Sequence, residues 1–247
     1  MKLSAIVLTR NEERNIENCL VGLSWADELL VVDSGSTDRT VALAEKCGAR
    51  VLVHPFMDFA SQRNFAMSQA KGDWALFIDA DERVTSELAE EISTLLKGSA
   101  PLCVCAIPRH NYFFDKRLRF GDAQEDAPVR LFPKLLVTWT QPVHEIIATD
   151  LPVRKLKNPL IHHSTRDLAH YQQKVCDYVP LELETMKAKG ARPCLMKAIF
   201  LPLAKFFQLY FFKLGILDGI AGLQYAILST YYTFLKHWLY FKQGSLK

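Results

Sequence analysis

No uninterrupted apolar run of about 20 residues occurs in this chain, so no segment reads as an unbroken bilayer span. The six cysteines, Cys19, Cys47, Cys103, Cys105, Cys176 and Cys194, form no CxxC pair, which removes the commonest zinc and thiol-redox spacings. They are expected to be reduced, mostly buried and cytosolic. The N-terminal Met1–Thr9 lacks the apolar region of a secretory signal and is expected to run straight into a strand. No internal repeat or low-complexity run is present. Glycine is missing from the loop after the first apolar run, Thr9-Arg10-Asn11-Glu12. A nucleotidyltransferase ordinarily carries a Gly- and Lys/Arg-rich loop there, so that class is disfavoured.

Charge is present but unevenly placed. The net charge is +3, yet residues 194–247 hold six Lys against one Asp, and the rest of the chain has slightly more acids than bases. Such asymmetry points the C-terminal region at an anionic surface. The same region holds 13 of the 27 aromatic residues. On a helical wheel Phe200, Leu203, Phe207, Tyr210, Phe211 and Leu214 share one broad face, with Lys197, Lys205, Gln208 and Lys213 on the other side. That pattern suits a helix lying in a membrane interface, although a buried helical pair would show it too. Lys205, Gln208, Lys213 and Asp218 interrupt one candidate span, and 220–235 is a second, shorter one.

The stretch Trp74–Glu82 carries the strongest chemical signal. Five apolar residues, Trp74 to Ile78, suit a strand buried on both faces of a parallel sheet. The run ends in Asp79, Asp81 and Glu82. Acids at the carboxyl end of a buried strand lie where open α/β sheets bind ligands. One of the two aspartates can face the ligand while the other reaches a hard cation such as Mg²⁺ or Mn²⁺. A second acid cluster, Asp33-Ser34-Gly35-Ser36-Thr37-Asp38, follows the strand expected at 28–32.

Strands alternate with helices throughout residues 1–97: strands at 4–8, 28–32, 49–53 and 74–79, and helices after Glu13, up to Lys46, at 60–70 and at 87–96. Ser36 or Thr37 is expected to cap the second helix. The economical reading is α/β, with a mainly parallel, doubly wound sheet. Short strand-like runs at 102–107, 129–132, 137–139 and 161–163 suggest a mixed extension of that sheet. From Asp167 the pattern is helical. The expected organisation is an α/β domain over 1–166, with a ligand cleft in the half at 1–97 and a wall over it from the half at 98–166, then a helical, amphipathic, basic region over 167–247.

The motifs Thr9-Arg10-Asn11-Glu12, Asp33 to Asp38 and Asp79-Ala80-Asp81-Glu82 together resemble family 2 glycosyltransferases of the GT-A (Rossmann-like) fold. Gln62-Arg63-Asn64, Val129-Arg130-Leu131-Phe132, Val143-His144-Glu145 and the basic aromatic tail bring the resemblance closer to bacterial lipopolysaccharide core β-1,4-glucosyltransferases. The resemblance implies a UDP-sugar donor and a divalent metal. It implies that Asp33 meets base or ribose and that Asp79 faces the ribose, with Asp81 holding the metal on the diphosphate. His162 is a further candidate ligand, as a late histidine serves in some GT-A enzymes. Thr9, Arg10, Asn11, Glu12 and Asp38 fall beside the nucleotide, and Arg63 and Arg130 suit a diphosphate because arginine offers paired donors. Transfer also needs a base near the anomeric carbon. Glu145 and Asp126 are the leading candidates, with Glu125 and Asp122 behind them. The implied acceptor is a lipid-linked saccharide, or in a second reading a polyprenyl phosphate. The implied setting is peripheral, at the cytoplasmic face of a bacterial inner membrane, and no nucleic acid is expected as a partner.

Overall fold

In the computed structural model, which describes residues 1–98, 101–124, 126–140 and 146–245, the apolar runs of the first half become parallel strands. β1 (Leu3–Thr9), β2 (Glu28–Asp33), β3 (Arg50–Val53) and β4 (Trp74–Asp79) pair in the order β3-β2-β1-β4. Four helices alternate with them: α1 (Ile16–Val21), α2 (Thr40–Lys46), α3 (Phe59–Gln69) and α4 (Ser86–Lys97). β1 lies between β2 and β4, so the chain crosses to opposite sides of it, and a switch point of this kind opens a crevice at the strands' carboxyl ends.

Period-two alternation sorts β1 between two cores. Leu3, Ala5 and Val7 pack on one face with Leu20 of α1, with Leu23 just beyond it and with Leu88 and Ile92 of α4. Ile6 packs on the other face with Ala66 and Met67 of α3, Phe77 and Trp139. Phe77 is fully buried, and a side chain of that size contributes about 1.5–3 kcal/mol on leaving water.

The sheet is extended by mixed pairing through the runs at 102–107 and 129–132, whereas those at 137–139 and 161–163 fall in separate sheets. β9 (Val129–Pro133) runs antiparallel to β4, and β6 (Val104–Ala106) pairs antiparallel with β9. β12 (Val153–Lys155), absent from the sequence reading, completes the edge. A further short strand, β5 (Glu82–Val84), begins two residues after Ala80 and pairs antiparallel with the start of β13 (Leu160–Thr165), Glu82 opposite His162. β10 (Thr138–Thr140) and β11 (Ile146–Ala148) form a separate two-stranded ribbon.

Packing divides the chain into two compact units: residues 1–109 with 127–162, and residues 110–126 with 163–247. The stretch 110–126, expected within the α/β domain, therefore groups with the helices. The reason is apolar. Phe113 and Leu118, on either side of the turn between β7 (Arg109–Phe113) and β8 (Lys116–Arg117), are buried with Ala221.

The second unit contains α5 (Leu168–Ala188), capped by Asp167, whose carboxylate accepts the His170 N–H at 2.7 Å. α6 (Leu195–Phe207) and α7 (Gly219–Ser245) follow. The expected helix through 200–214 does not run unbroken. It ends at Phe207, continues as a π-helical turn over Gln208–Phe212, and Leu214 adopts a left-handed φ of 57°. At Gly222 the chain approaches so closely that a Cβ would lie 1.9 Å from the Gly215 carbonyl oxygen. The stretch Leu195–Phe212 is nevertheless helical, long and apolar enough to cross a membrane by length and composition, which the sequence reading discounted because of its polar residues. Phe200, Leu203, Phe207, Phe211 and Leu214 are exposed. Lys205 and Lys213, by contrast, turn inward to one acid: their Nζ atoms lie 2.9 and 2.5 Å from Asp122 carboxylate oxygens.

Candidate active site

Strand register gathers the acids at one edge of the sheet. Thr9 pairs with Asp33, and Leu8 with Asp79, so the loops after β1, β2 and β4 leave the sheet side by side.

The first two loops are laced together. Thr9 donates its hydroxyl to Asp33 at 2.9 Å, and its carbonyl accepts the Ser34 N–H at 2.9 Å. Asn11, at a left-handed φ of 57°, donates its N–H to Ser36 Oγ at 2.8 Å and accepts the Thr37 N–H at 2.8 Å. Backbone N–H groups of Glu12 and Glu13 reach Thr40 Oγ1 at 2.7 Å and Asp38 at 3.1 Å. The Glu12 carboxylate takes the Asn15 side-chain amide at 2.7 Å, near the start of α1.

Asp33 is buried and accepts from the Thr9 and Ser36 hydroxyls and from the N–H groups of Gly35 and Ser36. A carboxylate has about four lone-pair sites, and these four donors fill them. Gly35 reaches its position with φ of 85°, which suits glycine. Asp38 takes the Thr40 N–H and hydroxyl, so it, not Ser36 or Thr37, caps the approach to α2. Burial alone would raise its pKa, but these donors outweigh burial and hold it below the ordinary carboxylate value. Thr9, Asn11, Glu12, Asp33 and Asp38 thus shape the cradle through bonds within and between the two loops. Arg10, by contrast, is exposed at the carboxyl end of β1.

α3 turns polar side chains inward, which its sequence pattern did not announce. Gln62 donates to Ser34 Oγ at 3.0 Å and meets His54 Nδ1 at 2.8 Å. Asn64 exchanges two hydrogen bonds with the Trp139 backbone, at 2.9 and 3.0 Å. Arg63 is buried between the rings of Phe77 and Trp139, 5.3 and 4.8 Å from their centroids, with Asp79 at 3.9 Å. Its expected place at a diphosphate gives way to a place inside the core beneath Asp79.

At the end of β4, acids and arginines alternate. Arg130 on β9 is 4% exposed and donates to Asp79 and, at 2.7 Å, to Glu82. Arg109 also donates to Glu82, at 3.2 Å. Arg130 is therefore committed to two carboxylates rather than presented to a leaving diphosphate. Asp79 keeps a 39% exposed side chain. Burial pushes its pKa up, but Arg130 and Arg63 outweigh burial and the neighbouring Asp81, so it stays ionised below the usual carboxylate range. The same carboxylates push the already high Arg130 pKa further up against the effect of burial. Asp79 and Glu82 thus meet Arg63, Arg109 and Arg130, while Asp81 meets His162.

Asp81 lies in the turn after β4, its carboxylate 3.5 Å from His162 Nε2, both side chains nearly buried at 14% and 15% exposed. The carboxylate oxygen suits Mg²⁺ or Mn²⁺, and the imidazole nitrogen favours the softer Mn²⁺ of the two. Among the described residues no cluster of three or more ligating side chains is assembled, so the pair fits a metal whose shell is completed by phosphate and water. Glu145 lies outside the described residues. Asp126 belongs to the second unit, where Asn111 donates to it at 2.7 Å. Glu125 is outside the described residues, and Asp122 is held by Lys205 and Lys213. Glu82, buried at the centre of the network, was not assigned a role in the sequence reading. Its only sequence signal was its place in Asp79-Ala80-Asp81-Glu82.

Comparison with known proteins agrees with this architecture. A family model described as glycosyl transferase family 2 matches residues 4–174. Over 96% of this chain and 93% of its own length, the lipopolysaccharide core biosynthesis glycosyltransferase LpsC of Rhizobium meliloti is 29% identical. A glycosyltransferase of Rickettsia bellii is 47% identical over 92 residues, 37% of this chain but 31% of its own. The crystal structure of Staphylococcus aureus TarS 1-349 with UDP-GlcNAc superposes with a TM-score of 0.48 at 19% identity, over 68% of this chain and 59% of its own. The matches thus span nearly all of LpsC, but about a third of the rickettsial chain and less than two thirds of TarS 1-349. The family match alone reaches from β1 into α5, well over half of the sequence, and the chain belongs to glycosyl transferase family 2.

Proposed function

We propose that the enzyme transfers a hexose, glucose from UDP-glucose in the reading favoured here, to a lipid-anchored saccharide such as the lipopolysaccharide inner core, with inversion at the anomeric carbon. The observation that carries this reading is the register that sets Thr9, Asp33 and Asp79 side by side at the carboxyl ends of β1, β2 and β4. The LpsC relationship supports the saccharide acceptor.

The laced loops at 9–13 and 33–40 shape the seat for uracil and ribose, with Arg10 reaching from its rim. Asp79, held ionised by Arg130, accepts from a ribose hydroxyl. Asp81 and His162 would hold a divalent ion, which when bound neutralises charge on the departing UDP. A carboxylate, Glu145 or Asp126, takes the acceptor's proton as its oxygen attacks the anomeric carbon from the side opposite UDP, giving a β-linkage. The exposed aromatic face of α6, with Lys197 on the same helix, suits a peripheral position on an anionic cytoplasmic leaflet, where a lipid-linked acceptor lies.

A donor screen tests the reading. Purified protein with UDP-, GDP- and dTDP-sugars, with and without Mn²⁺, should release UDP from UDP-glucose and need the metal. Release from none of the donors, or equal release with and without EDTA, contradicts it.

A further inference from the structure

Among the described residues Glu82 is the most enclosed charge in the first unit, with 0% exposure. A buried carboxylate without partners is strongly unfavourable, and this one is fully engaged. One oxygen accepts from Arg130 at 2.7 Å and Arg109 at 3.2 Å. The other accepts the backbone N–H of Asp79 at 2.9 Å.

That last bond matters most, because it closes a loop of three residues. The N–H of Asp79 is tied to a side chain three positions on, so Ala80 and Asp81 are held between two fixed points. Arg83 adds a second clasp, donating to the carbonyls of Ala80 at 2.7 Å and Glu82 at 2.8 Å. On its backbone side Glu82 stands opposite His162 in the β5–β13 pair. One residue therefore sets three others: Asp79 through its N–H and through Arg130, Asp81 through the turn, and His162 through the strand register.

We propose that Glu82 is a positioning residue of the donor site: its carboxylate fixes the Asp79–Asp81 turn and holds the Arg130 guanidinium against Asp79, without itself meeting the nucleotide. This rests on the donor-site reading above, and it adds a role that Asp79 and Asp81 cannot fill. Both aspartates keep some access to solvent, whereas Glu82 has none, so Glu82 acts only through its neighbours. Uncoupling it should loosen the geometry that an ordered nucleotide needs while leaving the exposed groups in place.

The test is calorimetric binding of UDP in the presence of Mn²⁺ to the full chain, with a thermal melt of each variant. Glu82→Gln keeps the shape but halves the acceptor capacity and removes the charge. It should fold with a lowered Tm and bind UDP at least about tenfold more weakly. Adding Asp79→Asn should then cost little more, because two residues that act as one unit are not additive. Arg109→Gln is a milder probe of the same network. It leaves Glu82 with Arg130 and the Asp79 N–H and should weaken UDP binding about threefold, and it decides the matter if Glu82→Gln does not fold. UDP binding at wild-type affinity by folded Glu82→Gln, or by Arg109→Gln where the first does not fold, overturns the proposal. So does full additivity with Asp79→Asn. Absence of UDP binding by the wild type would instead defeat the donor reading itself, and this proposal with it.

Discussion

Arg130 shows how much of the site is internal scaffolding. An arginine between Val129 and Leu131 reads from sequence as a cation for phosphate, and the structure spends it on Asp79 and Glu82. Removing one partner of a buried ion pair leaves an uncompensated charge and typically costs about 3–5 kcal/mol, whereas replacing the whole network by apolar groups can be neutral. Arg130→Met should therefore destabilise the fold by about that amount, read as a fall in the midpoint of chemical denaturation at unchanged slope. A midpoint shift below about 1 kcal/mol would show that Glu82 and Asp79 are satisfied without Arg130. Arg63 and Asp33 carry the same lesson, because each was expected to meet ligand and each is enclosed by its own chain. Residue type and spacing told where charge would gather. They could not tell which charges would pair, because pairing depends on the approach of β9 to β4, 51 positions apart for Arg130 and Asp79.

Among elements, the parallel strands were the most legible. β1, β2 and β4 are short, mostly apolar runs bounded by polar loops, as burial on both faces demands, and β3 is a partly exposed edge strand. β5 and β12 were missed because three residues carry too little periodicity, and β5 is polar at Glu82 and Arg83. The helical region was legible as helix but not in its details. A π-helical turn at Gln208–Phe212 interrupts the helix, and Lys205 and Lys213 are drawn to Asp122, an attraction no wheel records. The apolar face of α6 is then the better handle on membrane contact. Replacing Phe200, Leu203 and Phe207 together by Gln should release the protein from vesicles containing anionic lipid, even at low salt where lysines attract most. UDP-glucose hydrolysis should persist, since the donor-site residues lie in the first unit. Co-sedimentation unchanged by the triple substitution would mean that this face does not carry binding. Resistance of the wild type to both high salt and carbonate would mean that the Leu195–Phe212 stretch is inserted.

At the scale of the whole molecule the chain forms two compact units, each with its own core. The first unit brings the acids of three adjacent strands to one edge, and the second gathers the hairpin at 110–126 with the basic helices. The division followed from burial of Phe113 and Leu118, which a boundary drawn from composition alone placed elsewhere. Family membership agrees with the first unit's architecture, and the central functional claim is that Asp81 is where charge on the leaving UDP is met. The most direct measurement is the initial rate of UDP release from UDP-glucose with Mn²⁺, compared between the wild type and Asp81→Ala. Loss of charge stabilisation at a leaving group costs about 10²-fold or more in rate, so the variant should fall at least that far while keeping its melting transition. Turnover by folded Asp81→Ala within a few-fold of the wild type would contradict the account.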